Sequence, residues 1–576
     1  MKDTTSSFAI LMALKLAFTL FLVAVCPQLL LAQAPVFTQT VAAGTTIVSI
    51  TDLEHRVPVN PMIYGQMLED CNDHVIYGGV VNTAGKENKA VTDWLLGLQI
   101  PIVRWPAGTA IYDYEWRRGV GPDRKPQSEK IWGGTEHYTF GTDEFIHWCR
   151  EIGTEPYINI PMGNNNTFTH SLGEALDWVE YVNGAASTPM GAYRARCGHK
   201  EPYGVKYWCL GNENYLPNRF HKGETDSAYA EQLLRYASTI KANFPDISLL
   251  GVGHNGGWNT TVLNKCGTYL DYLTLHFYLT AKVNNQVLQN PATTLFGSER
   301  VEANLRHLIA ELEAYNASAS RSANPVRFSI DEWNCRHSVF DGNRYIFSRT
   351  DDRRLYDAAA MASMLNVFIR TSPHVAMANY IFPVNGHGLL KTVGEQDVYA
   401  SACYHVFDLY RRLMNGSAVG LDVKGPGIKG WSMGKLLVEG DNETSVTKAE
   451  LDLCFIGSAA VIDNEGRLVV SLVNRSYNEK QKVKLSVPTG YKVVEAWTID
   501  HADVCAKNTA DDRYNITAKQ ISMKSASLSL NPCSVAIVVL SDIIKLSPPR
   551  SNCPLKAEQL GSVSDGGPKG LEGVSK

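Results

Sequence analysis

Between about residues 60 and 415, short runs rich in Ile, Val, Tyr and Phe alternate with longer stretches of helical periodicity. A strand covered on both faces reads as a short continuous apolar run, and parallel sheets are the usual setting for it. Eight runs predict such strands: Met62–Glu69, Ile102–Ala107, Pro156–Pro161, Lys206–Leu210, Ser248–Val252, Tyr272–Phe277, Val326–Ile330 and His374–Phe382. Helical patterns fall at Lys89–Leu98, Thr142–Ile152, Leu172–Val182, Asp226–Asn243, Glu299–Tyr315, Asp352–Arg370 and Tyr399–Met414. Strands separated by helices predict an α/β chain whose residues 60–415 form a (β/α)8 barrel.

After Asn415-Gly416 the pattern changes. Leu468–Val473, Val483–Val487, Val493–Ile499 and Val535–Leu540 alternate or are β-branched, with Gly, Asn, Asp and Pro between them. Residues 416–546 therefore read as a β-sandwich of jelly-roll-like type. Its segments carry no paired carboxylates or aromatic cluster. Within 33–59, Thr46-Ile-Val-Ser-Ile50 predicts a strand that joins the sandwich, and 547–576, rich in Ser, Pro, Gly and Lys, reads as a flexible tail.

Lys2 and Lys15 precede an apolar run from Leu16 to Ala32, and small residues follow, so residues 1–32 read as a signal peptide cut after Ala32. A secreted or periplasmic protein is the expectation; an uncleaved anchor is the competing reading. Of twelve cysteines, Cys26 falls in the leader, which leaves an odd number and so at least one unpaired thiol. The absence of any CxxC pair or Cys/His cluster of zinc spacing predicts no metal. A net charge of −4 gives no electrostatic reason for nucleic acid or an anionic membrane as partner.

Barrel enzymes place their chemistry at the C-terminal ends of the strands. Those ends here hold Glu69, Arg104 with Trp105, Asn164, Asn212 with Glu213, His254, His276 with Tyr278, Glu332 with Trp333, and Asn385. Gly211-Asn-Glu-Asn214 follows the fourth strand and Asp331-Glu-Trp-Asn334 the seventh, so two carboxylates face each other across the barrel mouth. A retaining glycosidase needs such a pair about 5–5.5 Å apart, one attacking the anomeric carbon while the other protonates the leaving oxygen. Arg104 is placed to hold Glu332 ionised, which makes Glu213 the partner that carries the proton.

At these residues the chain resembles glycoside hydrolase family 51, the α-L-arabinofuranosidases. The matching stretches are Ile63-Tyr-Gly-Gln-Met-Leu-Glu69, Arg104-Trp-Pro-Ala-Gly108, Tyr114-Glu-Trp-Arg-Arg-Gly-Val-Gly-Pro122, Gly211-Asn-Glu-Asn214, Leu275-His-Phe-Tyr278, Asp331-Glu-Trp-Asn334 and Tyr404-His-Val-Phe-Asp-Leu-Tyr410. The resemblance implies removal of α-L-arabinofuranosyl groups from arabinan, arabinoxylan or derived oligosaccharides by double displacement, with no cofactor. It assigns Glu213 as acid/base and Glu332 as nucleophile. Asn212 is expected on the sugar 2-hydroxyl, Tyr278 on the nucleophile, Glu69 deep in the glycone pocket, and His276 on the acid/base side. A homo-oligomer is a further expectation, since family relatives are often hexamers.

Three stretches depart from the family pattern: Pro106-Ala-Gly-Thr-Ala110, Glu69-Asp70, and Asn379-Tyr-Ile-Phe-Pro-Val-Asn385, which lacks the usual strand-eight Gln. These line the sugar pocket and bear on glycone choice more than on mechanism. A β-xylosidase or endo-glucanase on the same scaffold is the alternative. A non-catalytic carbohydrate-binding surface protein is the alternative of another class.

Overall fold

The computed structural model describes residues 44–70, 73–162, 171–217, 222–255, 257–432 and 450–542. The leader, Asn164 and the tail lie outside the described residues.

Eight parallel strands form the barrel in chain order: Gly65–Met67, Ile102–Trp105, Glu155–Ile160, Tyr207–Leu210, Ser248–Val252, Tyr272–Asn284, Arg327–Phe340 and Val375–Ile381. Each pairs with its neighbours, and the sixth pairs with the seventh, from Arg327 against Tyr272 to Val339 against Val283, which closes the ring. Inside it, Ile102, Tyr157, Tyr207, Cys209, Leu250, Tyr272 and Met377 pack into a floor beneath the mouth. Outside it, the apolar faces of the helices cover the other side of every strand, so the strands lack the alternation of a half-exposed sheet.

The helix Gly257–Cys266 completes the set of crossovers, although its Thr260, Thr261 and Val262 are weak helix formers and its sequence gives little periodicity. Others are well marked. Ser171 and Thr225 cap their helices by accepting from the amides of Glu174 and Ala228, each three residues after its cap.

Strands six and seven run well past the barrel rim as a two-stranded ribbon, which Tyr345–Ser348 extends. Between Ile330 and Glu332 the seventh strand carries a bulge: two residues there oppose a single step of strand six. Successive strand residues normally point to opposite faces. The bulge at Asp331 removes that constraint where the chemistry gathers.

Thr45–Pro58 lies within a nine-stranded sheet with the C-terminal strands, antiparallel to Ser417–Lys424 and parallel to Gln481–Ser486. Both faces of its centre are buried. Leu468, Val470 and Leu472 enter the sheet domain's own core, while Val469 and Val473 join the barrel's outer core. That is why Leu468–Asn474 and Ile456–Ile462 are buried at every position, whereas the more peripheral Gln481–Ser486 alternates.

Polar ties reinforce this contact. Arg475 pairs with Glu299 of the helix Pro291–Ser318 and donates to the Cys454 carbonyl at 2.6 Å. Arg370 donates to the Ser458 carbonyl at 2.5 Å, and Asn508 donates to the Ala400 carbonyl at 2.9 Å. The nine described cysteines are all free thiols, seven of them buried, where they act as small apolar side chains. Asn259, Asn316 and Asn474, three of the seven Asn-x-Ser/Thr sequons, are buried.

Candidate active site

The fourth strand ends in a turn that aims two polar side chains into the mouth. Gly211 adopts φ +99°, and a Cβ there would meet Asn214 Oδ1 at 2.2 Å, so only glycine fits. Glu213 itself sits at φ +45°, a left-handed conformation unusual for a glutamate. Asn214 anchors the turn by donating to the Met162 carbonyl at 2.8 Å and to Glu224 at 3.1 Å. Tyr112 donates to the Asn212 carbonyl at 2.5 Å.

Glu332, only 5% exposed, approaches from the bulged seventh strand. Arg104 Nη1 donates to its Oε1 at 2.8 Å, and the Tyr278 hydroxyl donates to its Oε2. Because of the bulge, Asp331 also faces Arg104, whose Nε lies 3.4 Å from Asp331 Oδ2. Tyr157, from the barrel floor, donates to the same Asp331 oxygen at 2.5 Å. Arg104 Nη2 donates to Asn212 Oδ1 at 2.6 Å, which ties the two carboxylate-bearing strands together. The Asn212 amide nitrogen is buried and has no partner among the described residues.

His276 Nδ1 stands between the carboxylates, 2.8 Å from Glu213 Oε1 and 3.6 Å from Glu332 Oε2. One oxygen of each carboxylate and one imidazole nitrogen lie within 4.8 Å of one another. Burial opposes the charge of Glu332, but His276 and Arg104, aided by the Tyr278 and Arg104 hydrogen bonds, hold its pKa down to about 2. Burial likewise opposes a charged His276, yet the facing Glu332 and Glu213 raise its pKa above the ordinary value. The site therefore holds one carboxylate committed to its anionic form beside a second that shares a hydrogen bond with an imidazole.

Glu69 forms the other wall. Its Oε1 accepts from the Gly108 and Ala110 amides, each at 3.0 Å, and from the Trp132 indole at 3.1 Å. The Pro106–Ala110 turn and Glu69 are thus one unit. Gly108 is fixed by crowding as well, because a Cβ would lie 2.5 Å from Glu332 Oε1.

All seven residues singled out in the sequence, Glu69, Arg104, Asn212, Glu213, His276, Tyr278 and Glu332, converge in this mouth. Other strand-end residues do not. Trp105 stacks on Phe145 and Trp333 on Phe407, both in the outer core. Asn385 spends its side chain on the His74 carbonyl and on Thr392, holding two loops together. His254 stays within reach of the charges of Glu213 and His276 but stacks on Tyr215 at 3.8 Å, and burial lowers its pKa to about 4. Sequence reasoning missed Trp132 and Tyr112, which come from the long segment after strand two rather than from a strand end. It also missed Arg336, whose guanidinium lies 3.5 Å from the centre of the Tyr278 ring.

Among the described residues, two donor sets have the spacing of a metal site. In the first, Glu213–His276–Glu332, the place of a cation at Glu332 is taken by Arg104 and His276. In the second, Cys335–His337–Asp357, both imidazole nitrogens bond carboxylates, Asp351 at 2.6 Å and Asp357 at 2.7 Å, and Arg353 lies 3.5 Å from Asp357. Both sets are already engaged by cationic side chains and hydrogen bonds of the protein. The first has instead the parts for nucleophilic displacement with proton transfer.

Comparison with known proteins places this constellation. Residues 94–294 match the "Alpha-L-arabinofuranosidase 1 domain" and residues 331–534 the "Alpha-L-arabinofuranosidase C-terminal domain". A probable α-L-arabinofuranosidase C of Aspergillus flavus is 30% identical over 496 residues, covering 82% of this chain and 93% of that one. An α-L-arabinofuranosidase from Thermotoga maritima, solved as an arabinose complex, is 26% identical with a TM-score of 0.71, covering 86% and 99%. AbfB of Bifidobacterium longum, a family 51 α-L-arabinofuranosidase, shares the fold at 21% identity, with a TM-score of 0.74 and coverage of 87% and 100%.

Proposed function

Since the chain belongs to the α-L-arabinofuranosidases of glycoside hydrolase family 51, we propose that it releases terminal α-L-arabinofuranosyl groups with retention of configuration. The observation that carries this is the approach of Glu213 and Glu332 to within 4.8 Å, with Glu332 alone held by Arg104 and Tyr278. Retaining enzymes keep their carboxyl groups about 5–5.5 Å apart, whereas inverting enzymes leave about 6.5–9.5 Å for a water. The spacing here falls on the retaining side of that divide.

Glu332 attacks the anomeric carbon and forms the glycosyl-enzyme, while Glu213 protonates the leaving oxygen. Glu213 then takes a proton from the water that hydrolyses the ester. His276 bonds Glu213 and keeps it beside the scissile bond. The open amide of Asn212 meets the sugar 2-hydroxyl, and Glu69, fixed by the Gly108–Ala110 amides, receives hydroxyls at the bottom of the pocket. Arabinan, arabinoxylan and their oligosaccharides are the substrates this reading selects. Export through the leader, and assembly as a homo-oligomer, belong to the same proposal; N-terminal sequencing and light scattering test them.

An aryl α-L-arabinofuranoside assayed with two variants tests the chemistry. Glu332→Ala loses several orders of magnitude on every substrate, and azide rescue gives a glycosyl azide of inverted configuration. Glu213→Ala retains the first step on aryl glycosides, accumulates the intermediate, and yields the retained azide. Identical leaving-group dependence in the two variants, or an inverting wild type, overturns the assignment. Release of xylose or glucose instead of arabinose from an aryl-glycoside panel overturns the glycone.

A further inference from the structure

A second arginine, Arg336, reaches the site from beyond the barrel rim. Glu332, Asn334 and Arg336 of strand seven stand in register with His276, Tyr278 and Thr280 of strand six. Residues two apart share a face of the pleat, so Arg336 lies on the face of Tyr278, one step further along the ribbon. Long side chains cross that diagonal. The Arg336 guanidinium lies 3.5 Å from the centre of the Tyr278 ring. Phe347, which the ribbon's outer strand pairs with Ser338, has its ring centre 5.5 Å from the same guanidinium.

A cation over an aromatic face is attracted by the ring's quadrupole, and the attraction grows where water is excluded. Tyr278 is buried, and its hydroxyl donates to Glu332 Oε2. The stack uses the face of the ring and the hydrogen bond its edge, so both are made at once. Burial and the charge of Glu332 push the pKa of the phenol well up, and the charge of Arg336 works against them. In a site of low dielectric, a cation on the ring draws electron density from the phenol oxygen and makes its O–H a better donor.

The two chemical steps feel that hydrogen bond in opposite ways. When Glu332 attacks, its carboxylate loses negative charge to the new C–O bond, so a strong donor favours the starting anion. When the glycosyl-enzyme breaks down, water adds to the anomeric carbon and Glu213 takes a proton from that water. The ester C–O bond breaks, and Glu332 departs with the electron pair. In this second step the donor meets charge as it develops, which is where electrostatic stabilisation accelerates a reaction. We propose that Arg336 is a positioning residue, which fixes the Tyr278 ring and strengthens its hydrogen bond to Glu332, and so speeds breakdown of the glycosyl-enzyme. This rests on the retaining mechanism given above.

Arg336→Met keeps an unbranched side chain without the charge. Stopped-flow mixing with an aryl α-L-arabinofuranoside of good leaving group separates the burst, which reports attack by Glu332, from the steady rate, which reports breakdown. We expect the steady rate and KM to fall together by about tenfold, while the burst rate changes less than threefold. In a Tyr278→Phe background the same substitution changes the steady rate less than twofold. An equal loss in both steps, no loss in the steady rate, or an undiminished loss in the Tyr278→Phe background overturns the proposal. A readout without turnover keeps it separable from the retaining mechanism. The Cζ carbon resonance of Tyr278, assigned by its absence in Tyr278→Phe, shifts in Arg336→Met towards the position of a weaker donor, and a resonance that stays put overturns the coupling. A wild type that inverts, with no burst, while this resonance still responds sinks the retaining mechanism and leaves the hold of Arg336 on Tyr278 standing.

Discussion

Gly108→Ala is a one-methyl perturbation aimed at the nucleophile. The added Cβ would stand 2.5 Å from Glu332 Oε1, 3.4 Å from its Cδ and 3.1 Å from the Met67 methyl. Ordinary contact requires about 3.5 Å, so the carboxylate must retreat by roughly 1 Å. It cannot do so without lengthening the 2.8 Å bond from Arg104 or the bond from Tyr278. A displacement of ~1 Å costs on the order of 10²-fold in rate, or about 2.7 kcal/mol of barrier. Overpacking adds ~1–3 kcal/mol of destabilisation.

The assay is steady-state hydrolysis of an aryl α-L-arabinofuranoside, with thermal melting in parallel. Gly97→Ala is the matched control, since no atom lies within 4 Å of its Cβ and it sits on an exposed helix face. That variant retains full activity and gains ~0.5–1 kcal/mol of stability. A Gly108→Ala enzyme with kcat within threefold of wild type, or one impaired in KM only, refutes the claim that Gly108 sets the position of Glu332.

Glu69→Gln keeps the shape of a group that accepts three hydrogen bonds but removes its charge. We expect kcat/KM for the preferred glycone to fall more than tenfold, over ~1.4 kcal/mol, and an unchanged value places Glu69 outside the glycone pocket. Glu332 has a depressed pKa, so its ion-pair contribution to stability is full above about 4.5 and is lost as pH falls towards about 2. Melting temperature followed from pH 5 to 2 shows this loss, and in Glu332→Gln that component is absent. His276 is raised instead, so its favourable charge is fully present below about 6.5 and disappears as pH rises through the shifted value. Its NMR titration midpoint moves down in Glu332→Gln; a midpoint that stays put refutes the coupling. Glu299→Ala strands the buried Arg475 and costs about 3–5 kcal/mol by denaturant unfolding, whereas Glu299→Met combined with Arg475→Met recovers most of it.

What the sequence disclosed follows from which forces act locally. Parallel strands covered on both sides leave continuous apolar runs, and polar residues immediately after such runs have few structural reasons to be there. Glu213, Asn212, Glu69 and Arg104 were legible for that reason. Trp105 and Trp333 stand beside them in sequence, but the pleat sends both rings outward into the helix layer, which a strand-end filter does not separate. The bulge at Asp331 was hidden because it exists only in the pairing of strand seven with its neighbours, strands six and eight. Beyond the rim the two strands are held by each other rather than by covering helices. Polar Thr280, Lys282, Arg336 and Ser338 therefore interrupt the apolar signal, and the expected strands stopped short at Phe277 and Ile330. Trp132 reaches Glu69 from a segment with no periodicity, so nothing local marked it.

The position of Thr45–Pro58 in the nine-stranded sheet fixes the order in which this protein can be assembled. This first of the described strands has both of its neighbours, Ser417–Lys424 and Gln481–Ser486, on the far side of the barrel in sequence. At ~5–20 residues per second, synthesis of the intervening chain takes on the order of tens of seconds. Throughout that interval the strand's backbone donors and the apolar side chains Ile47 and Val48 have no place to go. The barrel, meanwhile, lacks the sheet that covers Leu409, Tyr410 and the helix Leu355–Arg370. The molecule therefore cannot mature one domain at a time from its beginning. Closure waits for the last strand, Val535–Asp542, and a ribosome that stalls anywhere before it releases a chain with both halves of its core still open to water.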